Sequence, residues 1–564
     1  ERPAREPGIA ALDAVPLPPG NNIPVFDRNP ERLRVESLGL DAGTALNVDA
    51  GTQLQGMAGV MYYDRGDFTL LLGDNSGIVA SGGAFVSAVP SAPAGAVRIG
   101  SYNIENFALT GDFLTRLDKL SEVFCQYLGN PDIVGLVEIS NQAAADRLAS
   151  AINTNEFGTC PDSPQYVATV LATSGSQRLG YLVKTAPAAG GGPRVVVDSV
   201  TEMFTTELLV APDGSTNSGP LFDRAPLLLA ARVLGENGQE FPVSVLLNHT
   251  LSLLDVNSIS TRSDSWGTSG NRSRGKRQQQ AVMLSELVEA IQTDPTPANL
   301  VLIGDYNAFD FSDGYVDVMG IISGTPAPAD QVLLHGASAV TRPLLNLIGT
   351  KPEAERYSYV FEGNIQTLDH ALVNDTALAN TEARLYHARV NSDFATDNAA
   401  DPTVPVRTSD HDPLVAELRV GAFLDADLAV DVLSPRKPVQ SGRQATFRVT
   451  VANAGAGDAL RPELVISIGT PPSRLRPVAV DGWTCDAPVA TDQGSELGCT
   501  RDAALAAGAV DQLGVSFDAV RLGAFEDVEI LVVASTLSRD AVSGNDSATG
   551  SARIVGRPQN PFNR

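Results

Sequence analysis

The sequence predicts an α/β (α+β) core flanked by two all-β parts, and three observations lead there. From Val97 to about Gly421, apolar runs that read as buried strands alternate with amphipathic helical stretches. In front, from Ile23 to Val89, short alternating runs are separated by turn residues. Behind, from Phe423 to Val555, runs such as Ala445-Thr446-Phe447-Arg448-Val449-Thr450-Val451 alternate strictly, as half-buried strands do. A chain of 564 residues also exceeds what one hydrophobic core supports, so several domains are expected.

Taken in order, residues 1–22 are rich in Pro, Gly and Ala without periodicity and read as an extended or poorly ordered lead-in. Residues 23–95 form a small β domain, barrel-like or OB-like and short enough to be truncated, with the linker Pro90–Gly95 at its end. Residues 96–421 are the central domain. Its first strand, Val97–Ile104, ends in polar residues; Phe113, Leu117, Leu120, Phe124 and Tyr127 recur at helical spacing until Gly129-Asn130-Pro131 stops them. Ile133–Glu138 is a buried strand ending in a carboxylate. A helix with Leu148 and Ile152 follows, then strands at Arg178–Val183 and Val243–Leu247, the latter running into Asn248-His249. Gln278–Ile291 is an amphipathic helix, and Val301-Leu302-Ile303 a buried strand that stops at Gly304. Residues 422–556 read as an immunoglobulin-like β-sandwich, with Trp483 beside Cys485, and 557–564 as a loose tail.

Composition is that of a folded protein, 43% hydrophobic and 19% charged, and no apolar run approaches the roughly 20 residues needed to cross a bilayer. The net charge of −26 argues against a general nucleic-acid coat protein. It does not exclude an enzyme that meets phosphate through cations and a local basic loop, because salt confines repulsion to roughly 10 Å. Four cysteines fall into two pairs, Cys125 with Cys160 and Cys485 with Cys499, without zinc-site spacing. Two disulfides in an oxidising compartment are expected; four reduced core cysteines are the alternative. The first residue is Glu1, so the chain reads as processed, and a secreted or extracellular location is expected, with periplasm or cell surface as alternatives.

The chemistry is concentrated at strand ends. Asn103, Glu138, His249, Asp305 with Asn307, and Asp410 with His411 come from five distant stretches, and Asp369 lies within a sixth. Asp305 and Asn307, two residues apart, point the same way from an extended backbone. If the strands share one packed pair of sheets, their ends converge on one rim. A carboxylate such as Glu138, with Asp305 or Asp410 and waters, suits Mg²⁺. Asp369 can fix the His411 imidazole, which then positions water or stabilises a pentacovalent phosphorus. His249 can serve the opposite oxygen, and the Asn103 and Asn307 amides suit phosphate or metal-bound water. Each also has a plain reading. Gly304-Asp305 and Ser409-Asp410-His411 are turn-prone, Asn103 can cap a turn, and Glu138 can be a surface carboxylate. His249 can be a satisfied core histidine, and Asp369 can pair with an arginine.

The ordered set Ser101-Tyr102-Asn103-Ile104, Leu136-Val137-Glu138, Asn248-His249, Gly304-Asp305-Tyr306-Asn307, Leu368-Asp369-His370 and Ser409-Asp410-His411-Asp412-Pro413 resembles the endonuclease/exonuclease/phosphatase (DNase I-like) superfamily. Gly129–Leu136, Tyr357–Gly363 and the flanking β domains make large secreted bacterial nucleases the most similar members. The resemblance implies a four-layer DNase I-like α/β sandwich that cuts phosphodiesters with Mg²⁺, Mn²⁺ or Ca²⁺ being alternatives. It implies metal-site roles for Asn103, Glu138 and Asp410, and catalytic roles for His249, Asp305, Asn307, Asp369 and His411. The sequence departs in having Val137 where many relatives carry Gln, and Thr250-Leu251-Ser252-Leu253 where basic residues are expected. The basic stretch Arg262–Arg277 is the candidate replacement grip, with Arg277 the substrate-binding residue; its plain reading is an exposed loop. The implied partner is DNA, and RNA as well, cut by a monomer at internal bonds with little sequence preference. A lipid or small-ester phosphodiesterase on the same fold, and a vestigial surface-binding protein, are the competing functions.

Overall fold

The computed structural model describes residues 2–556 other than 41–43, 65, 172–174, 176, 189–190, 297, 477, 479, 481, 502, 521–524 and 537; the expected tail lies outside them. The chain divides into two compact units, Glu1–Leu234 with Glu240–Arg419, and Gly235–Gln239 with Val420–Arg564.

The first unit is built on two six-stranded sheets. In one the order is Tyr166–Val170, Arg178–Lys184, Ile133–Ile139, Ala96–Phe107, Leu414–Val420, Thr381–His387; in the other it is Val195–Glu202, Leu227–Leu234, Glu240–His249, Leu300–Asp305, Asp369–Val373, Leu345–Asn346. The inner faces pack on each other closely enough that a Cβ on Gly135 would lie 2.6 Å from Leu247 Cδ1 and 2.8 Å from Ile303 Cδ1. Tyr181 Oη crosses the gap to donate toward the Leu227 and Val245 carbonyls, each at 2.9 Å. Helices cover both outer faces. Phe113–Glu122 and Gln142–Asn153 bury Leu117, Leu120, Leu148 and Ile152 against Tyr102, Val134 and Leu182. Ser269–Gln292 buries Ala281, Leu284 and Val288 against Leu246, Leu300 and Leu302. Helix, sheet, sheet and helix make the four-layer DNase I-like sandwich. The cystine Cys125–Cys160 is formed.

Ahead of the first sheet, Leu33–Glu36, Gly59–Asp64 and Asp67–Leu72 form a three-stranded sheet, and Thr52–Gln55 pairs with Val79–Gly82. The stretch expected to be lead-in is extended but tied down. Ile9–Ala10 pairs in parallel with Val25–Phe26, and the Arg5 and Gly8 amides donate to Ile365 and Ser312 carbonyls. Ile9 and Ile23 share a small core with Val256 and Tyr315.

In the second unit, Leu428–Leu433, Gln444–Asn453 and Val510–Asp518 form one sheet, while Glu463–Ile468, Gly494–Arg501, Phe525–Ser535 and Ser547–Val555 lead the other. Alternate residues of Gln444–Asn453 are buried, placing Phe447, Val449 and Val451 in a core with Phe517 and Trp483. Cys485–Cys499 joins two neighbouring strands of one sheet rather than bridging the two sheets.

Candidate active site

Sheet register brings the polar strand ends together. Leu300–Asp305 runs parallel to Glu240–His249 and antiparallel to Asp369–Val373, so Asp305 stands opposite His249 on one side and Asp369 on the other. On the facing sheet, Asn103 is opposite Val137, and Leu414 opposite Ser101, which places Ser409–His411 at the same rim. Asp369 is thus the first residue of its strand, and Asp410 and His411 precede theirs. Antiparallel strands reach the rim by their beginnings, so the rim is not made of carboxyl ends alone.

Irregular backbone aims the carboxylates. Glu138 is skipped between the Arg178–Ile139 and Leu179–Val137 pairs and adopts a left-handed conformation (φ 65°); Glu105 and Asn106 do the same in the break between the Asn103–Val137 and Phe107–Ile139 pairs. Such bulges re-aim a side chain at the cost of local strain. The Asn106 amide holds Glu138 Oε2 at 3.1 Å. Gly304, at φ 135°, lets the chain pass over Asn248 O, where a Cβ would sit 2.1 Å away.

The side chains form one connected group. His411 Nδ1 donates to Asp369 Oδ2 at 2.7 Å, and the Ser358 hydroxyl donates to the same oxygen at 2.7 Å. His411 Nε2 faces Asp305 Oδ2 at 3.8 Å and Asp410 Oδ1 at 4.0 Å. Asn103 Nδ2 donates to Asp305 Oδ2 at 3.0 Å, while its Oδ1 accepts the Glu105 amide. Asn307 donates its amide N–H to Asp305 Oδ1 at 2.8 Å and its Nδ2 to Thr250 O at 3.3 Å. His249 Nε2 lies 3.7 Å from both Glu138 Oε1 and Asp305 Oδ2.

Electrostatics divides these groups by role. Burial alone would discharge His411, but Asp369 and Asp305 outweigh it and raise its pKa, so it is an imidazolium at neutral pH. Burial, with Asp369 adding to it, raises the Asp305 pKa against the pull of His411. His249 stays neutral although two carboxylates are near, because burial and the Arg224 and His411 cations push its pKa far down. Burial raises Glu138, with Asp410 adding to it, and raises Glu105 with help from Asp410 and Glu138.

The crowding of carboxylates at the rim supplies the test of metal fit. Glu138, Glu105 and Asp410 repel one another around a part-exposed opening, which a hydrated divalent cation would relieve. Ligand atoms of Asp305, Asp369 and His411 also lie within 4.8 Å of one another. There, however, the imidazole is already hydrogen-bonded to Asp369 and both carboxylates are almost fully buried, which suits proton handling better than a hydrated ion.

The cleft, about 730 Å³, is lined by Glu138, His249, Asp305, Asn307, Asp410 and His411, with Gln177, Arg224 and Tyr359 among its other walls. Arg277 does not line it. It is only 1% exposed, donates to Leu251 O and lies 3.7 Å from Asp313. Its neighbours are likewise engaged: Arg262 with Asp264, Arg272 with Ser218 O, Arg274 with Val256 O and Lys276 with Asp223. Helical periodicity carried the signal. Arg277, Ala281, Leu284 and Val288 follow the i, i+4, i+7, i+11 stripe, so the arginine sits on the buried face. Three residues were not anticipated. Glu105 could have been found from its i, i+2 relation to Asn103. Arg224, which donates to Gln177 Oε1 and Thr250 O, had no distinguishing pattern. Tyr359 packs its ring 4.8 Å from the His411 ring; it lies in the Tyr357–Gly363 stretch that carries the resemblance, which implied no role for it.

A four-layer sandwich with carboxylates and two imidazoles at one rim is the fold of phosphodiesterase-type hydrolases. Residues 100–411, more than half of the chain, match the model described as the Endonuclease/Exonuclease/phosphatase family, and the chain belongs to that family. Family members depend on a divalent metal. No curated protein matches the chain. Among solved structures, truncated TDP2 from Caenorhabditis elegans is 15% identical, over 57% of this chain and 97% of its own, with a TM-score of 0.34. A β-hairpin deletion mutant of beta toxin from Staphylococcus aureus is 16% identical over 49% and 86%, with a TM-score of 0.28. The CARDB domain of PF1109 from Pyrococcus furiosus is 15% identical over 23% and 90%, with a TM-score of 0.17.

Proposed function

We propose that the chain is a secreted, Mg²⁺-dependent nuclease that hydrolyses internal phosphodiester bonds of DNA, and of RNA as well, with little sequence preference. The observation that carries this reading is the convergence of the Asp369–His411 pair, Asp305, His249 and Glu138 on one cleft. Asp305, with its raised proton affinity, takes the proton of the attacking water as the new P–O bond forms and the scissile P–O ester bond breaks, the leaving oxygen taking its proton from solvent water. Asn307 and Asn103 orient that carboxylate. The His411 imidazolium, fixed by Asp369, hydrogen-bonds the phosphoryl oxygen that gains charge. Neutral His249 hydrogen-bonds a second oxygen from the other side. Glu138 and Asp410, with Asn103 beside them, would hold a divalent cation. When bound, Mg²⁺ offsets negative charge on the phosphoryl and leaving oxygens. The two cystines support an oxidising, extracellular setting.

A second reading on the same fold, a phosphodiesterase for lipid head groups, is favoured by one observation: Leu12, Leu254 and Phe361 are exposed apolar residues on the cleft wall. Plasmid DNA incubated with Mg²⁺, with and without EDTA, beside Glu138→Ala and His411→Ala variants, tests the first reading. Nicking by the wild type alone, abolished by EDTA, is expected. Intact plasmid together with hydrolysis of a lipid or small ester would replace it with the second. Absence of hydrolysis with every substrate and divalent ion would leave a binding protein.

A further inference from the structure

One wall of the cleft carries a chemistry that phosphoryl transfer does not use. Leu253 and Leu254 from the loop after His249, Phe361 from the Tyr359–Gln366 hairpin, and Leu12 and Phe26 from the N-terminal segment all line it. Leu12, Leu254 and Phe361 are 59%, 74% and 52% exposed, and large apolar side chains gathered at the mouth of a polar cleft mark a contact surface.

The wall is held in place. Arg277 and Arg274 donate to the carbonyls of Leu251 and Val256, and Gln280 accepts the Leu251 amide, so the residues expected to grip phosphate instead brace this loop. Ile9 of the N-terminal segment packs with Val256 and Tyr315. Asn29 Nδ2 donates to Asn364 Oδ1 at 2.7 Å and ties the segment to the hairpin. Three arginines (Arg5, Arg28, Arg224) line the cleft against six carboxylates (Asp13, Glu138, Asp305, Asp313, Glu362, Asp410), which is no stripe for gripping a long duplex backbone.

We propose that this wall seats the base of an unpaired nucleotide next to the scissile phosphate, so that the N-terminal segment, residues 2–29, selects single-stranded over duplex nucleic acid. This rests on the nuclease reading and names the substrate class of the same site. Stacking of a base on an aromatic ring such as Phe361 raises affinity roughly tenfold without base-specific contacts, and Leu12 and Leu254 beside it add burial of the base against apolar surface. In a duplex that base is already stacked and paired, and extracting it opposes binding.

The test uses oligonucleotides with one phosphodiester among methylphosphonate linkages, flanked by either a base or an abasic tetrahydrofuran, single-stranded and in duplex, with Mg²⁺. Wild type, a Leu12→Ser/Leu254→Ser double variant and Phe361→Ala are compared, with melting temperature as the control for folding. Wild type is expected to cut the single strand about tenfold or more faster than duplex, and the base-flanked linkage about tenfold faster than the abasic one. In both variants the base-flanked and abasic rates should converge at unchanged melting temperature. Equal wild-type rates on single strand and duplex, or variants that slow both linkages alike, would overturn the proposal while leaving the nuclease reading intact. Faster release of phosphocholine from sphingomyelin vesicles than of nucleotide, lost in the variants, would assign the wall to lipid. No cleavage of any oligonucleotide would remove the nuclease reading itself, and this proposal with it.

Discussion

Asp369 takes two hydrogen bonds on a single oxygen, one from Ser358 and one from His411, so its charge is committed to the imidazolium and not shared with solvent. Asp369→Asn keeps the shape and removes that charge. We expect a fall in kcat of about 10²–10⁴-fold, the range for losing a positioned acid–base group, with little change in KM. Steady-state kinetics on a single-phosphodiester substrate would measure it. His387 makes the opposite point. It is buried, neither ring nitrogen has a partner among the described residues, and burial pushes its pKa well below the usual value. A histidine with a depressed folded pKa contributes its full stability above about pH 6.5 and loses it as pH falls, because only the unfolded chain takes the proton. Stability should therefore drop by about 1.4 kcal/mol per pH unit from this residue below pH 6.5. Urea unfolding at pH 7 and pH 5 should show a shallower loss in His387→Gln.

At the scale of elements, the two sheets meet where Gly135 leaves room for Leu247 and Ile303. Gly135→Ala pushes a methyl against the terminal methyls of Leu247 and Ile303, which must turn aside within a closely packed layer, so a cost of about 1–3 kcal/mol is expected in denaturant unfolding. Strands and helices were legible in the sequence because apolar runs and the 3.6-residue stripe report burial directly, and the rim residues were legible as polar side chains that interrupt those runs. Register was not. Whether Asp369 begins its strand or lies inside it depends on an antiparallel partner that no local pattern specifies. Arg277 was misread because a basic run at a helix start looks solvated, whereas its place on the apolar stripe decides that it is buried. Arg224 could not have been found, since its role follows from the carbonyls it reaches rather than from its neighbours in sequence.

For the molecule as a whole, stability leans on its two cystines. They close loops of 35 and 14 residues, and loop-closure entropy assigns them about 4 and about 3 kcal/mol. Calorimetry in reducing buffer should show each unit melting at lower temperature, with the larger shift in the smaller unit, which holds Cys485–Cys499, because its unfolding entropy is the smaller. The net charge of −26 opposes the cystines at low salt through self-repulsion, so moderate ionic strength should raise both transitions.

Half of the reactive group hangs from one sheet, Asn103, Glu138 and His411, and half from the other, His249, Asp305 and Asp369. The interlocked faces beneath act as a vice. Any slippage between its jaws separates Asp369 from His411 and takes Glu138 away from Asp305 in the same movement. Heat inactivation should consequently be abrupt, and a damaged copy should be inert rather than sluggish.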